Sequence, residues 1–186
     1  NWSSMLNMKY SIGVGNGFDG LVLALESMGI GPNDQVLVPA HTFIATWFAV
    51  QRVGAIPVGV DVDGEGLLSI DQILEAEIIP KAIIVVHMHG KTCDMEPIVK
   101  WAKENSVLVL EDASQAHLSH TKNIKAGCAG DVSVFSLYPT KNLGAMGDAG
   151  IVVTNDQVIA NNIRQKTSYG NEIGNKSVSY THLRAH

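Results

Sequence analysis

This 186-residue chain has little cysteine, little charge and no long apolar run. Its two cysteines, Cys93 and Cys128, share no C-x-x-C spacing. That excludes a disulfide framework and a thiolate zinc knuckle, and reads as two reduced thiols in a cytoplasmic protein. No apolar stretch approaches the ~18 residues that a membrane-spanning helix needs. The opening NWSSMLNMKY has no basic segment followed by an apolar one, so no export signal is read. It also has no initiator Met, and the chain reads as one entered part-way. Lysine and arginine never cluster, and 13 of them face 18 acidic residues for a net charge of -5. That balance does not suit nucleic acid. What is present is apolar: 46% hydrophobic against 17% charged residues, enough for one well-filled domain and too much for disorder.

Strand-like and helix-like segments alternate. Strands are expected at Tyr10–Val14, Gln35–Val38 and Ala55–Val60, in KAIIVVHMHG up to Gly90, and in SVLVLEDAS, GDVSVFS and GDAGIVVTND. Helices are expected over Phe18–Met28, Thr42–Val53 (capped by Thr42), Ser69–Glu77, Asp94–Asn105 and Gln157–Ser168. Continuous apolar strands separated by helices predict an α/β fold, a mostly parallel sheet covered on both faces. Ligands of such sheets sit beyond the carboxyl ends of the strands. After Gly170 the pattern dissolves. SVSYTHLRAH fits nothing before it and resembles translated adapter sequence, so 1–170 reads as the domain and 171–186 as a non-native or disordered tail.

GNGFDG, Gly15 to Gly20, is a literal G-x-G-x-x-G between a strand and a helix. A dinucleotide fingerprint also needs an acid at the end of the next strand. That strand, QVLV, runs instead into Pro39, Ala40 and His41, which disfavours a nicotinamide-dependent sugar oxidoreductase. A glycine turn opening a helix still suits some other phosphate, through free N–H groups and the helix dipole. Asp112 lies just past a buried strand, either as a helix cap or as the partner of a protonated pyridine nitrogen. Lys141, in FSLYPTKN, is either a surface lysine or, near an Asp and a phosphate cup, a Schiff-base lysine. Ser136 ends the same strand and offers a hydroxyl to that phosphate. His87, His89, His117 and His120 lack the spacing and acidic or thiolate company of a zinc site, and no metal is expected.

With GIGPNDQVLVPAHTFIATWFAV, GAIPVGVDVD, AIIVVHMHG, VLEDASQAH and FSLYPTKNLGAMGDAG in place, the chain resembles the DegT/DnrJ/StrS-type sugar aminotransferases. These are fold-type I pyridoxal-phosphate enzymes that act on nucleotide-linked keto-sugars. The resemblance runs from Met8 to about Gly170 and implies the large domain, without the C-terminal small domain. It implies that Lys141 binds pyridoxal 5′-phosphate covalently and then shuttles a proton. It implies Asp112 on the pyridine nitrogen, Gln115 on the phenolic oxygen and Phe43 stacked on the ring. Ser136 and the backbone of Gly17, Phe18 and Asp19 would make the phosphate cup, and His87, His117 and Tyr138 would lie near substrate. GNGFDGL, TFIATW and EDASQAH are nearest to members that aminate C3 of a dTDP-3-keto-6-deoxyhexose. An amino-acid donor such as glutamate and a homodimer follow from the same resemblance. The other reading on this scaffold is a sugar dehydratase or a cofactor-binding sensor; the dehydratase departure replaces the lysine by histidine, and Lys141 is a lysine. Two departures stand out: Ala149 occupies the second glycine of GDGG, and His89 a position commonly aromatic.

Overall fold

Buried β-branched residues form the centre of the molecule. The computed structural model describes residues 2–121 and 124–168. A short helix, α1 (Trp2–Leu6), precedes β1 (Tyr10–Val14) and α2 (Gly17–Ser27); then come β2 (Gln35–Pro39), α3 (Ile44–Arg52), β3 (Ile56–Val60) and α4 (Ile70–Glu75). The chain continues through β4 (Ala82–Val86), α5 (Met95–Glu104), β5 (Leu108–Asp112) and the two-residue strands β6 (His120–Thr121) and β7 (Ile124–Lys125). It ends with β8 (Val132–Ser136), β9 (Gly150–Thr154) and α6 (Gln157–Thr167). Seven strands make one sheet in the order β1-β9-β8-β5-β4-β2-β3. The pairs from β8 to β3 are parallel, and β9 alone runs against its neighbours. So β1, β2, β3, β4, β5 and β8 all finish at one edge, where β9 begins: Gly150 pairs with both Val14 and Ser136.

Alternation along each strand builds two cores. Val36, Val38, Ile84, Leu110, Val134 and Val152 face Leu21 and Leu25 of α2, Ala49 and Val50 of α3, and Ile163 of α6. Leu37, Ile83, Val85 and Val109 face Ile73 of α4 and Met95, Ile98 and Ala102 of α5. Beyond them on that second face, Phe135 and Val153 pack with Leu6 and Met8. The result is the expected three-layer α/β/α arrangement.

Two local expectations are corrected, those for Thr42 and for the strand toward Gly90. The first residues form α1, whose Leu6 supplies apolar cover to Phe135. Thr42 does not cap α3: Phe43 holds the N-cap position, and the Thr42 hydroxyl bonds the Thr46 hydroxyl at 3.0 Å. The strand expected to reach Gly90 stops at Val86, because the backbone closes into a tight turn over Met88–Gly90 with His89 at φ 55°. Ala149 fits its turn: its carbonyl accepts Leu137 N–H at 2.8 Å, and its φ is not left-handed, so no glycine is required. The expected tail, 171–186, lies outside the described residues.

Candidate active site

The site is assembled by strands ending together. Position 112 ends β5 and position 136 ends β8, and the two strands are paired neighbours. The β1–α2 turn comes close beside them. Gly17 approaches Ser136 so closely that a Cβ there would meet the serine Cβ at 2.8 Å. Gly20, one turn on, would meet Val134 Cγ1 at 2.7 Å. Both glycines let α2 lie tight on the sheet, with its N-terminus aimed at the strand ends. Asn16 caps that helix: its side-chain oxygen accepts Asp19 N–H at 2.8 Å.

Around these ends lies a cavity of about 520 Å³. Gly17 and Phe18 border it on one side and Phe43 on another. Asp112, Gln115, Ser136, Tyr138 and Lys141 are among its polar lining residues, and Asp148 adds a second carboxylate. A wider groove of about 1050 Å³ runs along β1, α2 and α6, but it holds none of Asp112, Ser136 or Lys141. The smaller cavity is therefore the one with chemistry.

Asp112 is 6% exposed, and both its oxygens are engaged: Oδ2 accepts from Thr46 Oγ1 at 3.0 Å and Oδ1 from Ser114 N–H at 3.1 Å. Ser136 Oγ accepts Tyr138 N–H at 3.3 Å, which leaves the hydroxyl proton for another acceptor. Lys141 is half-buried; burial holds its ammonium below the ordinary 10.5, and the Asp112 charge opposes that. Phe43 is 71% exposed, so it belongs to the cavity wall and not to the core.

Three expected residues stand elsewhere. The Asp19 amide is occupied by Asn16, which leaves Gly17 and Phe18 to offer the open N–H groups of the cup. His87 has no exposed surface and does not line the cavity. Adjacent strand residues face opposite ways, so while Asp112 faces α3, Glu111 points through to the other side and meets His87 Nε2 at 2.8 Å. Burial opposes a charge on His87 and Glu111 favours one, to a raised balance. However, Nδ1 accepts Cys93 N–H at 3.2 Å and so carries a lone pair, which makes the ring neutral with its proton on Nε2. His117 also lies behind the cavity, with its ring against Trp2 and Phe135. Burial lowers its pKa, and it meets the Ser136 carbonyl at 2.8 Å through Nε2. Its part is to hold the end of β8. Neither His87 nor His117 lines the cavity; both rings hydrogen-bond other parts of the fold.

Thr46 and Asn16 escaped the sequence reading. For Asn16 a signal was present, because Asn is a strong helix cap; for Thr46 none was, because its partner Asp112 lies 66 positions away. No group of three metal-ligating side chains occurs among the described residues. No helix among them is long and apolar enough to cross a membrane.

Residues 2–184 match the DegT/DnrJ/EryC1/StrS aminotransferase family. A dTDP-3-amino-3,4,6-trideoxy-alpha-D-glucose transaminase of Streptomyces venezuelae is 42% identical over 164 residues, 87% of this chain and 43% of that protein. A UDP-N-acetyl-3-dehydro-alpha-D-glucosamine 3-aminotransferase of Acidithiobacillus ferrooxidans is 41% identical over 170 residues, 90% of this chain and 46% of that protein. The crystal structure of S. venezuelae DesV in complex with a ketimine intermediate superposes with a TM-score of 0.89 at 37% identity, covering 96% of this chain and 48% of that one. The chain spans less than half the length of these relatives.

Proposed function

Because this chain belongs to the DegT/DnrJ/EryC1/StrS aminotransferase family, we propose that it is the cofactor-binding large domain of an enzyme that transfers an amino group to a nucleotide-linked keto-deoxysugar. The observation that carries this reading is the shared cavity of Asp112, Lys141, Ser136 and the open end of α2.

The residues present fit pyridoxal 5′-phosphate. Gly17 leaves beside Ser136 the room that a Cβ would fill. The Ser136 hydroxyl and the Gly17 and Phe18 amides suit a phosphate. Asp112, buried and ready-oriented, suits a ring N–H, and Phe43 suits one ring face. Bound there, the cofactor supplies an electron sink for the carbon that gains or loses the amino group. Lys141 Nζ would hold the cofactor covalently and, as a free neutral amine, would accept and return the proton that the transfer moves. Its lowered pKa enlarges the neutral fraction that this needs. Gln115 and Tyr138 line the same cavity; on this reading Gln115 would meet the cofactor's phenolic oxygen and Tyr138 the substrate.

The sugar is a dTDP-3-keto-6-deoxyhexose on this reading, supported by the nucleotide and position in the name of the S. venezuelae relative. The Acidithiobacillus relative is named for a UDP sugar and for the same 3-position, so C3 is what the two names share. Glutamate as donor, a homodimer of the longer protein and a role in cytoplasmic amino-sugar and polysaccharide biosynthesis complete the proposal. Lys141 stands where a dehydratase would carry histidine.

The test is chemical. The purified chain is mixed with pyridoxal 5′-phosphate, reduced with borohydride and mapped by mass spectrometry. A stable label on Lys141 is expected; a folded chain labelled only at other lysines overturns the reading.

A further inference from the structure

We propose that Thr46, itself supplied by Thr42, is a positioning residue: through it, α3 holds the Asp112 carboxylate and the Phe43 ring as one rigid clamp on the pyridine end of the cofactor. This rests on the site reading above.

Thr46 is 1% exposed, and its Oγ1 donates to Asp112 Oδ2 at 3.0 Å. A hydroxyl has one proton, so the 3.0 Å contact between Thr46 Oγ1 and Thr42 Oγ1 has Thr42 as its donor. The result is a directed chain, Thr42 to Thr46 to Asp112, in which each O–H polarises the next. Ser114 N–H pins the other carboxylate oxygen. Both oxygens are therefore oriented before any ligand arrives, one by the strand's own loop and one by a helix. Phe43 is the N-cap of α3, and its carbonyl accepts Thr46 N–H at 3.1 Å, so the same first turn fixes both residues. A valine would fill the Thr46 site with nearly the same shape and none of the cost of burying a hydroxyl. The hydroxyl's worth lies in what it donates to.

The experiment titrates the full chain with pyridoxal 5′-phosphate, followed by visible absorbance, in wild type, Thr46→Val and Thr46→Ser. A hydrogen bond to a charged group is expected to matter about tenfold. Thr46→Val should bind the cofactor about tenfold more weakly, and Thr46→Ser should restore affinity to within about twofold. In an Asp112→Ala background, Thr46→Val should add almost nothing, because the two act as one unit. Borohydride labelling of Lys141 should persist in Thr46→Val at saturating cofactor. If Thr46→Val does not fold, Thr42→Val leaves the buried position intact and should weaken binding about threefold. Wild-type affinity in both valine variants, or a full additive loss in the Asp112→Ala background, overturns the clamp and leaves the site reading standing. Absence of Lys141 labelling in the wild-type chain brings down the site reading and the clamp with it.

Discussion

Lys141 is pulled two ways, by burial toward the neutral amine and by Asp112 toward the ammonium. Competitive acylation across pH, read by mass spectrometry, should place its midpoint below 10.5. Asp112→Asn removes the attraction that favours the charge, so the midpoint should fall further. A midpoint unmoved by that substitution would mean that the two groups do not share the cavity. Glu111 shows the other residue-scale lesson. Its two oxygens accept from Gly127, Ala129 and Gly130 N–H, the Ser133 hydroxyl and His87. Burial alone would raise its pKa; the His87 contact and the backbone donors outweigh burial and hold it below 4.5.

At the scale of elements, α2 is the piece whose placement matters most. Its N-terminus is set by Asn16, and its closeness to β8 by Gly17 and Gly20. Asn16→Ala should cost about 1 kcal/mol of stability in urea unfolding, the usual worth of a polar N-cap. It should leave cofactor affinity intact, since it frees the Asp19 amide. Gly17→Ala works the other way. Its Cβ would collide with Ser136 at 2.8 Å, so the helix end must lift. Overpacking of this kind costs about 1–3 kcal/mol, and cofactor affinity should fall with it. Comparing the two variants by unfolding and by cofactor titration separates the cap from the cradle.

The Glu111 network joins β5, β8 and the segments just after β4 and just before β8 into one unit, so its titration is felt by the whole molecule. The folded value is depressed, so the stability it contributes is complete above about pH 4.5 and is lost as pH falls through the folded value. Urea midpoints should therefore decline on acidification below that pH. In Glu111→Gln the decline should flatten. The unfolding free energy at neutral pH should also drop by about 2–3 kcal/mol, because an amide cannot accept on both sides. An unchanged acid slope in that variant would show that other carboxylates govern acid unfolding. The outer surface tells a second whole-molecule story. Phe43 at the N-cap of α3, and Ile44 and Phe48 on the helix, are each at least half exposed.

Much of this was written in the sequence. Near-continuous β-branched runs between helical segments required a covered parallel sheet, because such strands have no polar face to turn to water. Gly17 beside Ser136, and Asp112 and Lys141 after strand ends, could be read as one site, because a parallel sheet delivers all its strand ends to one edge. Only the tertiary structure decided which neighbours share a face. Glu111 and Asp112 are adjacent in sequence and lie on opposite sides of the sheet; pleating alternates the side chains, and neither residue alone shows its side. His87 and His117 sit close to site motifs along the chain, but their rings are consumed by Cys93 and by Glu111 and Ser136, the last two lying 24 and 19 positions away. Thr46 reads as one more residue of an apolar helix until α3 docks on β5 and sets its hydroxyl against Asp112. Hydrogen bonds across such separations exist only once the sheet has assembled, so no local pattern could announce them.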